Sequence, residues 1–293
     1  MSGADRLLDE LLARCTFPPA PAAITVALSG GPDSSALLAL ARHAHLDVTA
    51  VHVHHGLRPD ADDDAATAER IADRLGAAFR CVRVEVDDGP NLEARARRAR
   101  RSALGTDAAT GHTADDQAET VLLALLRGSG SSGLGAMRPG ADHPILALRR
   151  TDTRAVCDAL DLRPVFDASN DDPRFRRNRV RSEVLPLLND VAERDVAPLL
   201  VRAADLLRDE ADLLDELAAS IDPTDATALS AAPTPLSRRA IRRWLTVEGY
   251  PPDAHAVARV LDVARGHAEA CEISGGRRVQ RSQQRLSLFP PTD

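Results

Sequence analysis

The sequence contains no lysine, so all 37 of its basic side chains are arginine. A phosphate loop that reaches its ligand through a lysine ammonium is therefore excluded, and so is Schiff-base chemistry on a protein amine. Phosphate groups must instead be met by backbone N–H groups, hydroxyls, arginine or a metal ion. Aromatic residues make up only 2% of the chain, so stacking on a planar ligand would fall largely to arginine. The four cysteines, Cys15, Cys81, Cys157 and Cys271, are far apart and form no CxxC pair. That spacing argues against a zinc ribbon, an iron–sulfur site or a dithiol redox motif. No apolar run approaches the roughly 20 residues that span a bilayer. The opening Met1-Ser2-Gly3-Ala4-Asp5 lacks the basic and apolar segments of a signal peptide. The expected compartment is the cytoplasm, with no membrane partner.

What is present describes a packed protein of about two domains: 293 residues, 44% hydrophobic and 28% charged. The net charge of −7 is unevenly spread. Asp60, Asp62, Asp63 and Asp64 form an acidic cluster, whereas arginines gather at 95–101, 174–181, 238–243 and 277–285. An acidic protein can still present a basic face to a polyanion, because charges are screened within about 8 Å at physiological salt. Each cluster taken alone reads equally well as a solvated helix face.

Apolar runs and turn residues predict strands at 24–28, 47–54, 79–86 and 107–111. Between them they predict helices at 35–43, 62–76, 92–104 and 115–127. On the 62–76 helix, Ala65, Ala68, Ile71, Ala72 and Leu75 share one face. This alternation implies βαβ units and a parallel sheet, which binds ligands beyond the C-terminal ends of its strands. From about residue 178 helices dominate, at 178–189, 195–220 and 236–248, and Gly275-Gly276 suggests a hairpin in the tail. The expected class is α/β, with a catalytic domain over residues 1–190. A smaller, mainly helical domain is expected over residues 191–293.

Ser29-Gly30-Gly31-Pro32-Asp33-Ser34 lies between the first strand and its helix, with Ser35 following. Glycines admit a close ligand, the helix N-terminus favours an anion, and the serines offer hydroxyl donors. Asp33 suits phosphates only if Mg²⁺ bridges them. An ordinary strand–helix turn capped by Asp or Ser remains the alternative reading. Further on, Gly111-His112-Thr113-Ala114-Asp115-Asp116-Gln117-Ala118-Glu119-Thr120 follows the fourth strand. If helical geometry reaches back to His112, then His112, Asp116 and Glu119 share a face at i, i+4 and i+7. The competing reading is a polar helix start capped by Asp115 or Asp116.

The loop SGGPDS resembles the SGGxDS signature of the PP-loop ATP pyrophosphatases (adenine nucleotide α-hydrolase-like fold). Four further elements occur in order: Val53-His54-His55-Gly56-Leu57-Arg58, Asn91 to Arg97, the His112 segment running into Arg127-Gly128-Ser129-Gly130, and Asp167-Ala168-Ser169-Asn170-Asp171 followed by Phe175 to Arg181. Together they resemble the tRNA(Ile)-lysidine synthases, strongly over about residues 22–190 and loosely beyond. The resemblance implies ATP-dependent joining of free L-lysine to C2 of cytidine 34 in the CAU anticodon of tRNA(Ile). Cytosine O2 first takes AMP from ATP, releasing pyrophosphate, and lysine then expels AMP. It implies ATP and Mg²⁺, nucleotide contacts from Ser29 to Ser35 and from His55, and a metal contact at Asp33. Catalytic roles fall to Asp33, His112, Asp116 and Glu119.

RNA contacts are expected at Ser169–Arg181, where a helix start held by internal Arg–Asp pairs is the alternative reading, and, in the second domain, at Arg238, Arg239, Arg242 and Arg243. The resemblance also admits a homodimer. The chain departs from the family at Phe166 and Leu126, where many members carry a glutamate and a lysine. It is also shorter than members with an additional C-terminal domain. The alternatives are another PP-loop enzyme, such as a tRNA thiolase or an amidotransferase-type synthetase, and a binding module without catalysis. The scattered cysteines and the absence of a glutaminase pattern speak against the first. The intact set of reacting residues speaks against the second.

Overall fold

A computed structural model of the chain describes residues 2–54, 56, 61–84, 95, 99, 102–105, 107–165, 172–247 and 250–291. It divides into two compact units, Met1–Asp205 and Leu206–Asp293.

In the first unit, β1 (Ala23–Ala27), β2 (Asp47–His54), β3 (Ala78–Arg83) and β4 (Ala108–Ala109) form a parallel sheet in the order β3-β2-β1-β4. Ala27 pairs with Val51 and Val26 with Ala109. β1 and β4 therefore end side by side where the strand order reverses, the switch point at which such sheets bind ligands. The helix α2 (Pro32–His43) links β1 to β2 and is buried from Ser34 to Ala41. A helix apolar on every side belongs inside the core, and Leu37, Leu38 and Leu40 lie there with Val26, Leu28 and Val48. Helix α3 (Ala61–Arg74) buries Ala68, Ile71 and Ala72, part of the face expected of it. Asp62, Asp63 and Asp64 lie in its first turn, where the helix dipole favours negative charge.

Two helices flank this core without having been anticipated from periodicity. The first, α1 (Gly3–Leu12), is short and closed by a capping box: Ser2 N donates to Asp5 Oδ2 at 2.8 Å and Asp5 N to Ser2 Oγ at 3.1 Å. The second, α5 (Arg150–Ala159), follows α4 (Ala114–Leu126) and packs on α2. Only Thr153, Val156 and Cys157 of α5 are buried, so its pattern is too sparse to announce a helix.

The stretch expected as one helix over 178–189 is interrupted. It consists of α6 (Arg176–Arg179), a π-helical turn at Val180–Val184 and α7 (Leu185–Ala192). Pro186 has no N–H for the Ser182 carbonyl and its ring crowds that group, so the turn ahead of it widens.

The long helix α8 (Ala197–Ala219) runs across the boundary between the units. The second unit continues with α9 (Ala226–Ala231), α10 (Thr234–Leu245) and α11 (Ala254–Arg265). Asp225 caps α9 and Asp253 caps α11. The tail is a three-stranded antiparallel sheet and not a single hairpin: β5 (Ala270–Ile273), β6 (Arg277–Ser282) and β7 (Arg285–Phe289). The extra turn falls at Gln283-Gln284, both with positive φ, a conformation the glycine signal could not reveal. Leu229, Ile241, Leu245, Val260 and Val279 form its core. Among the described residues no helix is long and apolar enough to cross a membrane.

Candidate functional site

The phosphate loop leaves β1 at Leu28, whose N–H is held by the Val51 carbonyl at 2.9 Å. Gly30 then takes φ +87°, a left-handed conformation that favours glycine. Gly31 is the N-cap of α2 and Pro32 begins the helix with its φ already suited to it. No side chain caps this helix start, so its first-turn N–H groups suit an anion. The serines shape the turn: Ser29 Oγ lies 3.0 Å from Ser34 Oγ, while the Ser34 and Ser35 hydroxyls donate to the Gly31 carbonyl at 3.0 and 2.8 Å.

Gly111, arriving from β4, lies hard against this loop. A Cβ there would sit 2.9 Å from the carbonyl carbon and oxygen of Asp33 and from the Ser34 nitrogen. Backbone cannot yield as a side-chain tip does. A Gly111→Ala variant is therefore expected to displace the loop and lower the ATP cleavage implied by the resemblance by on the order of 100-fold. Nucleotide release assays on folded variant would check this, and an unchanged rate would refute the close-packing account.

Asp33 is turned inward. Its Oδ1 accepts from Thr153 Oγ1 at 2.5 Å, and its Oδ2 lies 3.9 Å from Arg150 Nε. Burial pushes its pKa above the usual carboxylate range; the Asp116 charge adds to this, and the Thr153 hydrogen bond and nearby arginines oppose it. Among the described residues no group of three or more His, Cys, Asp or Glu side chains could hold a metal ion by itself. One carboxylate beside a phosphate loop does fit Mg²⁺, which usually takes one or two protein carboxylates together with substrate phosphates.

The second half of the site comes from the start of α4. The helix begins at Ala114, so His112 lies in the extended segment before the N-cap Thr113 and not on the helical face. Asp116 divides its oxygens. Oδ2 accepts from the Thr113 N–H and hydroxyl, both at 2.9 Å, which is the capping role. Oδ1 accepts from Arg150 Nη2 at 2.6 Å and Arg177 Nη2 at 3.1 Å. Burial alone would raise its pKa, but Arg150, Arg177 and the Thr113 amide lower it to about 2.

The Glu119 side chain is 0% exposed and is gripped by three guanidinium groups. Its Oε1 accepts from Arg150 Nη1 and Arg181 Nε, each at 2.8 Å, and its Oε2 from Arg177 Nε at 2.6 Å. Burial opposes its charge, yet Arg181 and Arg150 hold its pKa below the usual value. Asp115 points elsewhere. It forms a bidentate pair with Arg149 at 2.7 and 3.0 Å and accepts the Arg150 N–H at 2.8 Å, so it clamps the start of α5 onto α4.

The structure thus brings Asp33, Asp116 and Glu119 around one guanidinium, that of Arg150. His112 lies near enough that, when protonated, it helps lower the Asp116 pKa. His55, residues 91–94 and the Asp167–Asp171 element fall outside the described residues; the chain leading into that last element is tied to the loop by Val165 N to Gly30 O at 2.9 Å. Of the arginines expected to meet RNA, Arg177 and Arg181 turn toward Glu119, while Arg174 and Arg179 pair locally with Asp172 and Glu183. Arg239 pairs with Asp215; Arg238, Arg242 and Arg243 are exposed.

Sequence reasoning missed Arg150 and Thr153. The signal available was the Arg149-Arg150 doublet directly after the apolar run Ile145–Leu148, of which Ile145, Leu146 and Leu148 are buried. It also missed Gln117, whose buried amide exchanges hydrogen bonds with the Met137 backbone at 3.0 Å each way and fixes the loop beyond α4.

Comparison with known proteins adds an independent line. Residues 4–188 match a family model described as a PP-loop domain, and residues 225–287 match one described as the TilS substrate binding domain. The tRNA(Ile)-lysidine synthase of Nocardia farcinica is 44% identical over 262 residues, 84% of this chain and 82% of the relative. That of Xanthomonas axonopodis pv. citri is 39% identical over 304 residues, 94% of this chain and 69% of the relative. Among solved structures, the U34-tRNA thiolase NcsA of Methanococcus maripaludis with its [4Fe-4S] cluster aligns with a TM-score of 0.53. It is 17% identical and covers 70% of this chain and 78% of that one, which marks a shared fold alone.

Proposed function

The chain belongs to the tRNA(Ile)-lysidine synthase family, and from that premise we propose how its own residues carry out the reaction. It is an ATP-using ligase that forms lysidine in tRNA(Ile). The finer reading is that free L-lysine is joined to C2 of cytidine 34 in the CAU anticodon. The observation that carries it is the meeting of phosphate loop and carboxylate pair on Arg150, which lies 3.9 Å from Asp33, 2.6 Å from Asp116 and 2.8 Å from Glu119.

In the first step cytosine O2 attacks the α-phosphorus of ATP. The bond to the bridging oxygen breaks, pyrophosphate leaves and an adenylated cytidine remains. Residues Ser29 to Ser35 cradle the β- and γ-phosphates with N–H groups and hydroxyls, with His55 as a further nucleotide contact. Mg²⁺ arriving with the triphosphate would be held by Asp33 and would neutralise the developing negative charge. His112 and Arg150 supply cationic or N–H donors toward the α-phosphate, where preorganised charge is most effective.

In the second step the ε-amine of lysine attacks C2, the bond from C2 to the adenylate oxygen breaks, and AMP leaves. The amine must lose its proton, and its ordinary pKa is about 10.4. Asp116 and Glu119 are the carboxylates proposed to attract the ammonium and accept a proton. With arginines upon them they are weakly basic. They gain basicity if Arg150 shifts toward phosphate. Asp116→Asn with wild-type rates in both steps would remove Asp116 from this role. The second unit is proposed to contact tRNA through Arg238, Arg239, Arg242 and Arg243; the reaction is assigned to the cytoplasm, with a homodimer as the proposed assembly.

The deciding experiment follows labelled lysine into an unmodified tRNA(Ile) transcript with a CAU anticodon. ATP- and Mg²⁺-dependent label at cytidine 34, absent from methionine tRNA, is the expected result. ATP cleavage to AMP and pyrophosphate without incorporation would keep the PP-loop chemistry and reject lysine or this tRNA.

A further inference from the structure

A second histidine shares a hydroxyl with His112. Thr110, the residue after β4, has its Oγ1 2.7 Å from His112 Nδ1 and 2.8 Å from His143 Nδ1. The same oxygen lies 3.1 Å from the Asp142 carbonyl, which already receives the Thr110 N–H at 2.9 Å. The two imidazole rings meet edge to face, with centroids 5.0 Å apart at 85°. His143 is firmly placed on both sides: its N–H donates to Gly140 O at 3.0 Å, and the Thr16 N–H donates to the next carbonyl, Pro144 O, at 2.8 Å. The neighbouring Pro144 and Ile145 are buried.

A threonine hydroxyl has one proton and two lone pairs. Facing two imidazole nitrogens and a carbonyl oxygen at hydrogen-bond distance, it can donate to only one of the three. The carbonyl is the farthest, at 3.1 Å against 2.7 and 2.8 Å, and already accepts the Thr110 N–H, so it makes the weakest claim on the hydroxyl proton. We propose that His143 is a positioning residue for His112. His143 donates its Nδ1–H to Thr110, Thr110 donates its hydroxyl proton to His112 Nδ1, and His112 is thereby fixed as the tautomer protonated on Nε2. Of the two directions, this one leaves His112 an Nε2–H to donate; the reverse would place its proton on Nδ1, against Thr110, and leave Nε2 an acceptor. A neutral imidazole held this way presents an N–H at the far nitrogen, the form that can stabilise negative charge on a phosphate oxygen. This rests on the reading of His112 as a group acting at the α-phosphate.

The test uses the full-length protein labelled with ¹⁵N in its nine histidines, with the His112 ring signal assigned by its loss in His112→Gln. Long-range ¹H–¹⁵N spectra report which ring nitrogen carries the proton. The expected wild-type result is His112 unprotonated at Nδ1 and His143 protonated there. In Thr110→Val and His143→Ala the Nδ1-protonated share of His112 rises several-fold, and kcat for AMP formation falls by about 10- to 100-fold. KM for ATP stays within about threefold, because positioning of a donor acts on the transition state more than on binding. Thr110→Ser and His143→Asn, which retain a hydroxyl and an N–H donor near the Nδ1 position, restore both readings. A wild-type His112 protonated at Nδ1, a tautomer unmoved by Thr110→Val and His143→Ala, or an unmoved kcat overturns the proposal. Failure of the underlying reading looks different: His112→Ala would then form AMP at the wild-type rate whatever the spectra show.

Discussion

Replacing Glu119 by Gln is expected to cost the protein both activity and stability. The carboxylate is fully buried and receives Arg150, Arg177 and Arg181. Gln keeps the shape but offers one acceptor oxygen and an N–H₂ group that faces guanidinium donors. Three cations would then depend on Asp116, with Asp33 reaching only Arg150 at 3.9 Å. Breaking a buried ion pair by removing one partner typically costs about 3–5 kcal/mol, because the other charge stays desolvated. Lysidine formation should fall by about 100-fold or more, since the arginines that meet substrate charge lose their anchor.

The pH dependence has a definite sign. Both carboxylates have folded pKa values below their ordinary 3.8 and 4.5, with Asp116 at about 2. Their contribution is therefore present above about pH 4.5 and is lost as pH falls toward 2. Denaturant unfolding of wild type across that window should show a steep loss of stability, shallower in Glu119→Gln. Equal slopes and equal midpoints would mean the cluster contributes nothing to folding.

Asp33→Asn is expected to do the opposite to stability while abolishing the first chemical step. The folded pKa of Asp33 is raised, chiefly by burial. Its contribution is present below the ordinary 3.8 and is lost as pH rises through the folded value, so at neutral pH its charge costs stability. The amide removes that charge and can retain the Thr153 hydroxyl as a donor to its oxygen. A higher melting midpoint is expected at pH 7, and the gain should vanish below about pH 4. AMP and pyrophosphate release should drop by about 100- to 1,000-fold. A variant that is both less stable and fully active would remove Asp33 from the proposed chemistry. Functional sites commonly hold such locally unfavourable charges.

Much of the first unit was legible because its signals are local. The four strands and the helices α2, α3 and α4 follow from runs of β-branched and apolar residues broken by glycine, as at Gly30, Gly76 and Gly128. The loop and the His112 segment could be read as motifs because their glycines and carboxylates are fixed by short-range needs. What escaped was long-range. Arg150 lies 117 positions from Asp33 and 31 from Glu119, and no local pattern says which of 37 basic residues will fill that place. A face shared by His112, Asp116 and Glu119 required the helix to reach back to His112. Instead the capping box at Thr113 stops the helix short, and the histidine is held by Thr110. Arg177 and Arg181 read as RNA contacts, with internal arginine–aspartate pairs at a helix start as the alternative, and nothing local named the partner. A buried glutamate 58 and 62 residues away, on α4, turns them inward.

The divided carboxylate of Asp116 carries a final consequence. One oxygen nucleates the first turn of α4 and the other gathers guanidinium groups from α5 and α6, so a single atom pair belongs to the local and to the distant contacts at once. Fraying of that turn would withdraw one carboxylate from Arg150 and Arg177, and loss of those arginines would leave the turn without its neutralised cap. Ordering of the α4 start and gathering of the arginines therefore favour one another, so the helix cap and the reacting centre are coupled through one side chain.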